Sequence, residues 1–196
     1  MNQPIKVTSI NDRAIDNIRY IRETMERAGS FTAVPGWGGV LMGITALITA
    51  VVASRTETAV AWFEVWLVES AVALGIGASM MVRKAREVRN ILSGPGRKFA
   101  LALCPAMIAG AVLSFALYRT GLYSLVPGTW LLLYGVAVAT GGAYSVRVVP
   151  LMGICFMAIG ALTLFAPFTW ANWCMAAGFG GLQIIFGAII AWRYGG

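Results

Sequence analysis

The chain has 196 residues, 59% of them hydrophobic and only 12% charged, with a net charge of +7 and no histidine. Soluble domains carry roughly 45–50% apolar and about 25% charged residues, so a water-soluble fold of this size is excluded and the bilayer must act as solvent. Haem ligation and the usual zinc sites lack their histidine, and no P-loop, nucleophile-elbow or zinc-protease motif occurs, so no catalytic, cofactor or metal constellation is assigned.

Residues 1–36 form a polar, charged arm without the apolar core of a cleavable signal, and the first span is expected to serve as an uncleaved insertion signal. Ser9 and Asp12 start a helix and Gly29 ends it, which predicts an amphipathic helix over residues 9–28. Ile10, Ala14, Ile18, Ile21 and Met25 fall on one apolar stripe at spacings of three and four. The other face is charge-balanced, with Arg19 four before Glu23, Arg22 before Glu26 and Glu23 before Arg27. A helix drawn mainly by anionic lipid is more one-sidedly basic. The stripe is therefore expected to dock on the cytoplasmic end of the bundle, on the membrane surface, or on a protein partner or second copy of the chain.

Val34-Pro35-Gly36-Trp37-Gly38-Gly39 joins this arm to the membrane: Pro35 breaks the helix and Trp37 suits the interface. A spanning helix needs about 20 apolar residues. Six segments qualify, namely Trp37–Ser54, Ala59–Val82, Phe99–Tyr118, Leu125–Val146, Val148–Ala166 and Trp170–Trp192. The expected fold is an all-α, polytopic membrane protein. Its membrane domain, 37–196, is read as three consecutive hairpins over 37–83, 98–147 and 148–193. Each hairpin has an apolar run, a short break, a second run and a closing arginine. Repeats of two helices keep one orientation, so inverted symmetry cannot arise between these hairpins. Gly39 and Gly43 form a G-x-x-x-G in the first span, and Gly135, Gly141 and Gly142 in the fourth and Gly178, Gly180, Gly181 and Gly187 in the sixth predict further close helix contacts.

The second span holds Glu64 and Glu69, the two acids inside any segment. A charge at mid-bilayer costs about 2.5–3.5 kcal/mol on insertion scales, so each is a candidate intramembrane polar site. Glu64 stands near the outer end, within reach of water, Arg55 or Arg119, and Glu69 stands near the middle. Five residues turn the helix by about 140°, so the two do not share a face. Gln183 in the sixth span is a third candidate, expected to bond a neighbouring helix. Cys104, Cys155 and Cys174 lie within spans, where an odd count makes no disulfide framework.

The one sizeable loop carries Arg83, Lys84, Arg86, Arg89, Arg97 and Lys98, a juxtamembrane cluster expected to contact anionic lipid headgroups. Cys104-Pro105 predicts a kink in the third span. The short turn at Arg147 and Pro150 makes the fourth and fifth spans neighbours. Tyr118, Tyr123, Trp130, Trp170 and Trp173 mark the opposite interface.

Thirteen of the fifteen lysines and arginines fall on the side of the termini, and only Arg55 and Arg119 on the other. The positive-inside rule places both termini in the cytoplasm. The net charge thus reads as topology; it is too dispersed for nucleic acid.

The third hairpin, Gly153 through Arg193, resembles the short repeat of the acid-resistance (HdeD-like) membrane protein superfamily. The likeness lies in the glycine-bearing first helix, Pro167 at the turn and the glycine-rich second helix ending in Arg193. It covers the 41 residues of that stretch; the first hairpin lacks the turn proline, and the charged arm lies outside the pattern. The resemblance implies a bacterial inner-membrane protein of six spans with no catalytic residues. The signature of mitochondrial carriers, by contrast, is absent after Pro35, Pro105, Pro127 and Pro150.

The expectation is a non-enzymatic inner-membrane protein with structural, stress-related or regulatory work, or an accessory subunit of a membrane complex. The rival is a small transporter or channel using Glu69. Topology is directly testable: a cysteine introduced by Glu57→Cys should react with an impermeant thiol reagent from outside intact cells, and one from Gly94→Cys only after the membrane is opened. The reverse pattern would invert the assignment.

Overall fold

The computed structural model describes residues 15, 17–21, 35–87, 95–143 and 145–194. The described chain is helical, and six helices are long and apolar enough to cross a membrane. They are α1 (Gly36–Ala53), α2 (Ala59–Glu87), α3 (Pro95–Thr120), α4 (Val126–Gly142), α5 (Val148–Phe165) and α6, which is composite. α6 is α-helical over Ala171–Met175, π-helical over Ala176–Leu182 and α-helical again over Gln183–Tyr194. This is a multi-pass membrane fold, with each expected span present and its ends moved by a few residues.

Local chemistry explains the boundaries. Pro35 lacks the amide hydrogen that an interior position would need, and α1 begins directly after it. The α1–α2 turn is closed by Thr56 Oγ1, which donates to Ala53 O at 2.7 Å, and by Thr58 Oγ1, which accepts from Ala61 N at 3.1 Å. α3 ends in Gly121 at φ 72°, a left-handed position that glycine adopts without strain. Pro127 enters α4 in its first turn, and Pro167 bars α5 from continuing. α3 runs through Pro105 as one helix.

The helices bury unequal shares of themselves. Half of the membrane window of α4 is buried (50%), against 11% for α2 and 6% for α3. The core is therefore α1, α4, α5 and α6, with α2 and α3 attached outside. The two tightest contacts are α4 with α5 and α1 with α6, and α6 also touches α4 and α5. Neither tight contact lies within an expected hairpin. α2 leans on α1, and α3 leans on α4.

Both tight contacts are glycine seams. On α1 and α6, a methyl group at Gly43 would stand 2.8 Å from Gly180 O, and one at Gly187 would stand 2.7 Å from Val40 N. On α4 and α5, one at Gly135 would stand 2.7 Å from Gly153 O, one at Gly153 would stand 2.5 Å from Ala139 N, and one at Gly160 would stand 2.6 Å from Leu132 N. Each obstacle is backbone, which cannot swing aside. The seam glycines repeat every seven residues: 36 and 43, 128, 135 and 142, 153 and 160, 180 and 187. Seven residues are about two helical turns, so each series stays on one line along its helix. In lipid no hydrophobic force drives apolar helices together, and close backbone approach with its dispersion and Cα–H···O contacts takes that role.

Aromatic rings tie the outer helices in at the end remote from the termini. Phe63 of α2 meets Tyr118 of α3 at 5.4 Å and Trp130 of α4 at 5.9 Å between ring centroids. Trp130 Nε1 donates to Ser114 Oγ of α3 at 2.6 Å.

In the arm, residues 15 and 17–21 are helical, and Ile18 and Ile21 are 65% and 55% exposed. The stripe expected to dock on the bundle end, the membrane surface or a partner presents Ile18 and Ile21 outward from the described residues. Ile10, Ala14 and Met25 lie outside the described residues.

Gly153→Leu should lower the unfolding temperature in detergent, because overpacking costs typically 1–3 kcal/mol and the obstacle here is backbone. Gly75→Ala, where an added methyl meets nothing within 4 Å, should be neutral or stabilising by up to about 1 kcal/mol. Equal effects of the two variants would refute the seam.

Candidate functional site

α2 carries the decisive residue. Its helical period puts Glu64 on the lipid side and Glu69 on the protein side: Glu64 is exposed, and Glu69 is only 7% exposed. The 140° between them thus separates an interfacial acid from a buried one. Glu69 stands near the middle of the 25-residue span Ala59–Arg83. Among the described residues it is the one buried side chain of ionisable acid or base type.

Its partners come from α1. Thr45 Oγ1 lies 2.7 Å from Glu69 Oε1, and Thr49 Oγ1 lies 2.9 Å from Oε2. The two threonines are four residues apart and so share the α1 face that looks at α2. The opposite face, with Gly36 and Gly43, serves the seam with α6. Thr45 Oγ1 is also 2.9 Å from Met42 O of its own helix.

Two further polar nodes join the core helices. Gln183 opens the last α-helical part of α6 and is 4% exposed, and its Nε2 donates to Tyr134 Oη of α4 at 2.5 Å. Tyr134 is packed on Phe156 and Phe179, with ring centroids 4.8 and 5.2 Å away. The π-helical stretch before Gln183 turns Gly178 toward Leu131 of α4 and Gly180 toward Leu47 of α1. α6 thereby sits between the two halves of the core. Nearer the end remote from the termini, Asn172 Oδ1 accepts from Trp62 Nε1 at 3.4 Å and Trp66 Nε1 at 3.3 Å, while its Nδ2 donates to Ala50 O at 2.7 Å. One amide thus joins α1, α2 and α6.

The three candidates from the sequence are not brought together. Glu69 belongs to the α1–α2 contact, Gln183 to the α4–α6 contact, and Glu64 to the exposed surface. Among the headgroup candidates, Arg83, Arg97 and Lys98 are exposed. The side chains of Lys84 and Arg86 and the whole of Arg89 lie outside the described residues. Cys104 is exposed, Cys155 and Cys174 are half-buried, and all three thiols are free.

Thr45, Thr49, Asn172 and Tyr134 were not singled out by the sequence. The Thr45–Thr49 pair, one turn apart in an apolar span, carried a signal. Tyr134 and Asn172 gave none of their own, since a single polar group does not name its partner. Protein-family models, curated proteins and solved structures offer no match to this chain.

Proposed function

We propose that this chain is a non-enzymatic multi-pass membrane protein, a structural, stress-related or regulatory component or an accessory subunit of a membrane complex. The observation that carries this reading is the contact of Glu69. Both carboxyl oxygens are occupied by threonine hydroxyls of the neighbouring helix, so the group fastens α2 to α1. A transport carboxyl works at a water-filled cavity or along a pathway. Gln183 is used in the same way, as a bond between α6 and α4. The seams set backbone against backbone along α1–α6 and α4–α5, and large side chains fill the core between them, which suits a scaffold better than a passage.

The likeness of residues 153–193 to the acid-resistance superfamily supports a bacterial inner-membrane setting. The distribution of cations supports cytoplasmic termini, with Arg83, Lys84, Arg86, Arg89, Arg97 and Lys98 at anionic headgroups. The exposed Ile18 and Ile21 are available to a protein partner or to a second copy of the chain.

Reconstitution tests this reading. In proteoliposomes the unmodified protein and Glu69→Gln should both leave proton, sodium and potassium fluxes at the level of protein-free vesicles. Flux above that level refutes the scaffold reading, and flux that Glu69→Gln removes would establish the small transporter or channel in its place.

A further inference from the structure

The α1–α2 contact has a second property, which goes beyond the scaffold reading and does not rest on it. Thr45 has one hydroxyl hydrogen and two acceptors, Glu69 Oε1 at 2.7 Å and Met42 O at 2.9 Å. Thr49 stands 2.9 Å from Oε2. A hydroxyl can both donate and accept, whereas a carboxylate only accepts and a carboxylic acid also donates.

We propose that Glu69, Thr45 and Thr49 form a reversible proton-binding site inside the membrane. With Glu69 as the carboxylate, both hydroxyls donate to it. With Glu69 as the acid, its own O–H donates to Thr45 Oγ1, Thr45 turns its hydrogen to Met42 O, and Thr49 still donates to Oε2. One proton is taken up and one hydroxyl rotates. No heavy atom need move, and every polar hydrogen has an acceptor in both forms, which is the condition for a buried polar network to be tolerated.

The surroundings favour neither form by a fixed charge. α1 has no ionisable side chain between Gly36 and Ala53. On α2 itself, Glu64 is exposed about 140° away around the helix, and Arg83 lies at the far end of the span. Among the described residues, Tyr118, Asn172 and Tyr123 reach α2 from α3, α6 and the Tyr123–Leu125 turn, and none of them carries a carboxyl, amino or guanidinium group. Arg55, Glu57 and Arg119, at the end remote from the termini, are exposed. The ligand is a proton and not a metal ion, because the oxygens already stand at hydrogen-bond separations from one another.

Infrared difference spectroscopy on the full chain in lipid nanodiscs decides the matter. The acid-minus-alkaline spectrum of the unmodified protein should contain a carboxylic C=O band that reverses with pH and is lost in Glu69→Gln. Glutamine is isosteric and can donate where the acid donates, so that variant keeps the contact. Thr45→Ser should leave the band in place, and Thr45→Val should shift it by removing the hydrogen-bond partner. A Glu69→Gln spectrum identical to that of the unmodified protein would overturn the proposal, because Glu69 would then hold one form throughout. That result would leave the flux prediction untouched, and flux in vesicles would leave this one untouched.

Discussion

The fold depends on backbone meeting backbone. In water, α1 and α6 would be pressed together by their apolar side chains; in lipid the tails solvate those side chains equally well. What remains is the dispersion of closely packed surfaces, and large side chains at the contact would hold the helix axes apart. Glycine at every second turn removes that obstacle along a whole line. Gly43 against Gly180 and Gly135 against Gly153 are points where an added methyl group would run into backbone of the facing helix. The remaining elements are placed by these two seams. α6 bridges them, and α2 and α3 hang on the faces of α1 and α4 that the seams leave free.

Polar groups do a different task. They cannot supply much net energy, since hydrogen bonds between membrane helices average about 0.6 kcal/mol in the best-measured case. They do select among arrangements, because a polar group that slides out of register is left in hydrocarbon without a partner. Thr45, Thr49 and Glu69 set α2 against α1 at mid-span, and Asn172 sets the same pair against α6 through Trp62, Trp66 and Ala50. α2 buries little, so its position rests on these few directed contacts and on the aromatic group around Phe63. The one ionisable contact among them is also the one that accommodates a proton.

Much of this was legible in the sequence. Apolar length alone marks six spans, because lipid demands a self-satisfied helix. The short turn at Arg147 and Pro150 foretold the α4–α5 contact. The separation of Glu64 from Glu69 followed from helix geometry. The pairing of helices was less accessible. Reading in consecutive hairpins directs attention to neighbours along the chain, whereas the α1–α6 seam joins Gly43 to Gly180, across most of the sequence. The seven-residue glycine interval held that information, since its recurrence in four spans marks which face of each is bare. The choice of partner among those four faces is a matter of shape, which composition does not record. The partners of Gln183 and Asn172 were hidden for the same reason. The amphipathic stripe is a different case: periodicity gives an apolar face at Ile18 and Ile21, and a face does not state what covers it.

The return of α1 onto α6 is the central claim, and its most direct test is a cross-link between them. In a background with Cys104, Cys155 and Cys174 replaced, Leu47→Cys and Gly180→Cys place two thiols across the seam at a point where leucine and glycine now touch. Mild oxidation should join them within one molecule, in the membrane and before any detergent is added. Failure to join, with the protein inserted and folded, would contradict the seam and with it the arrangement of the whole bundle.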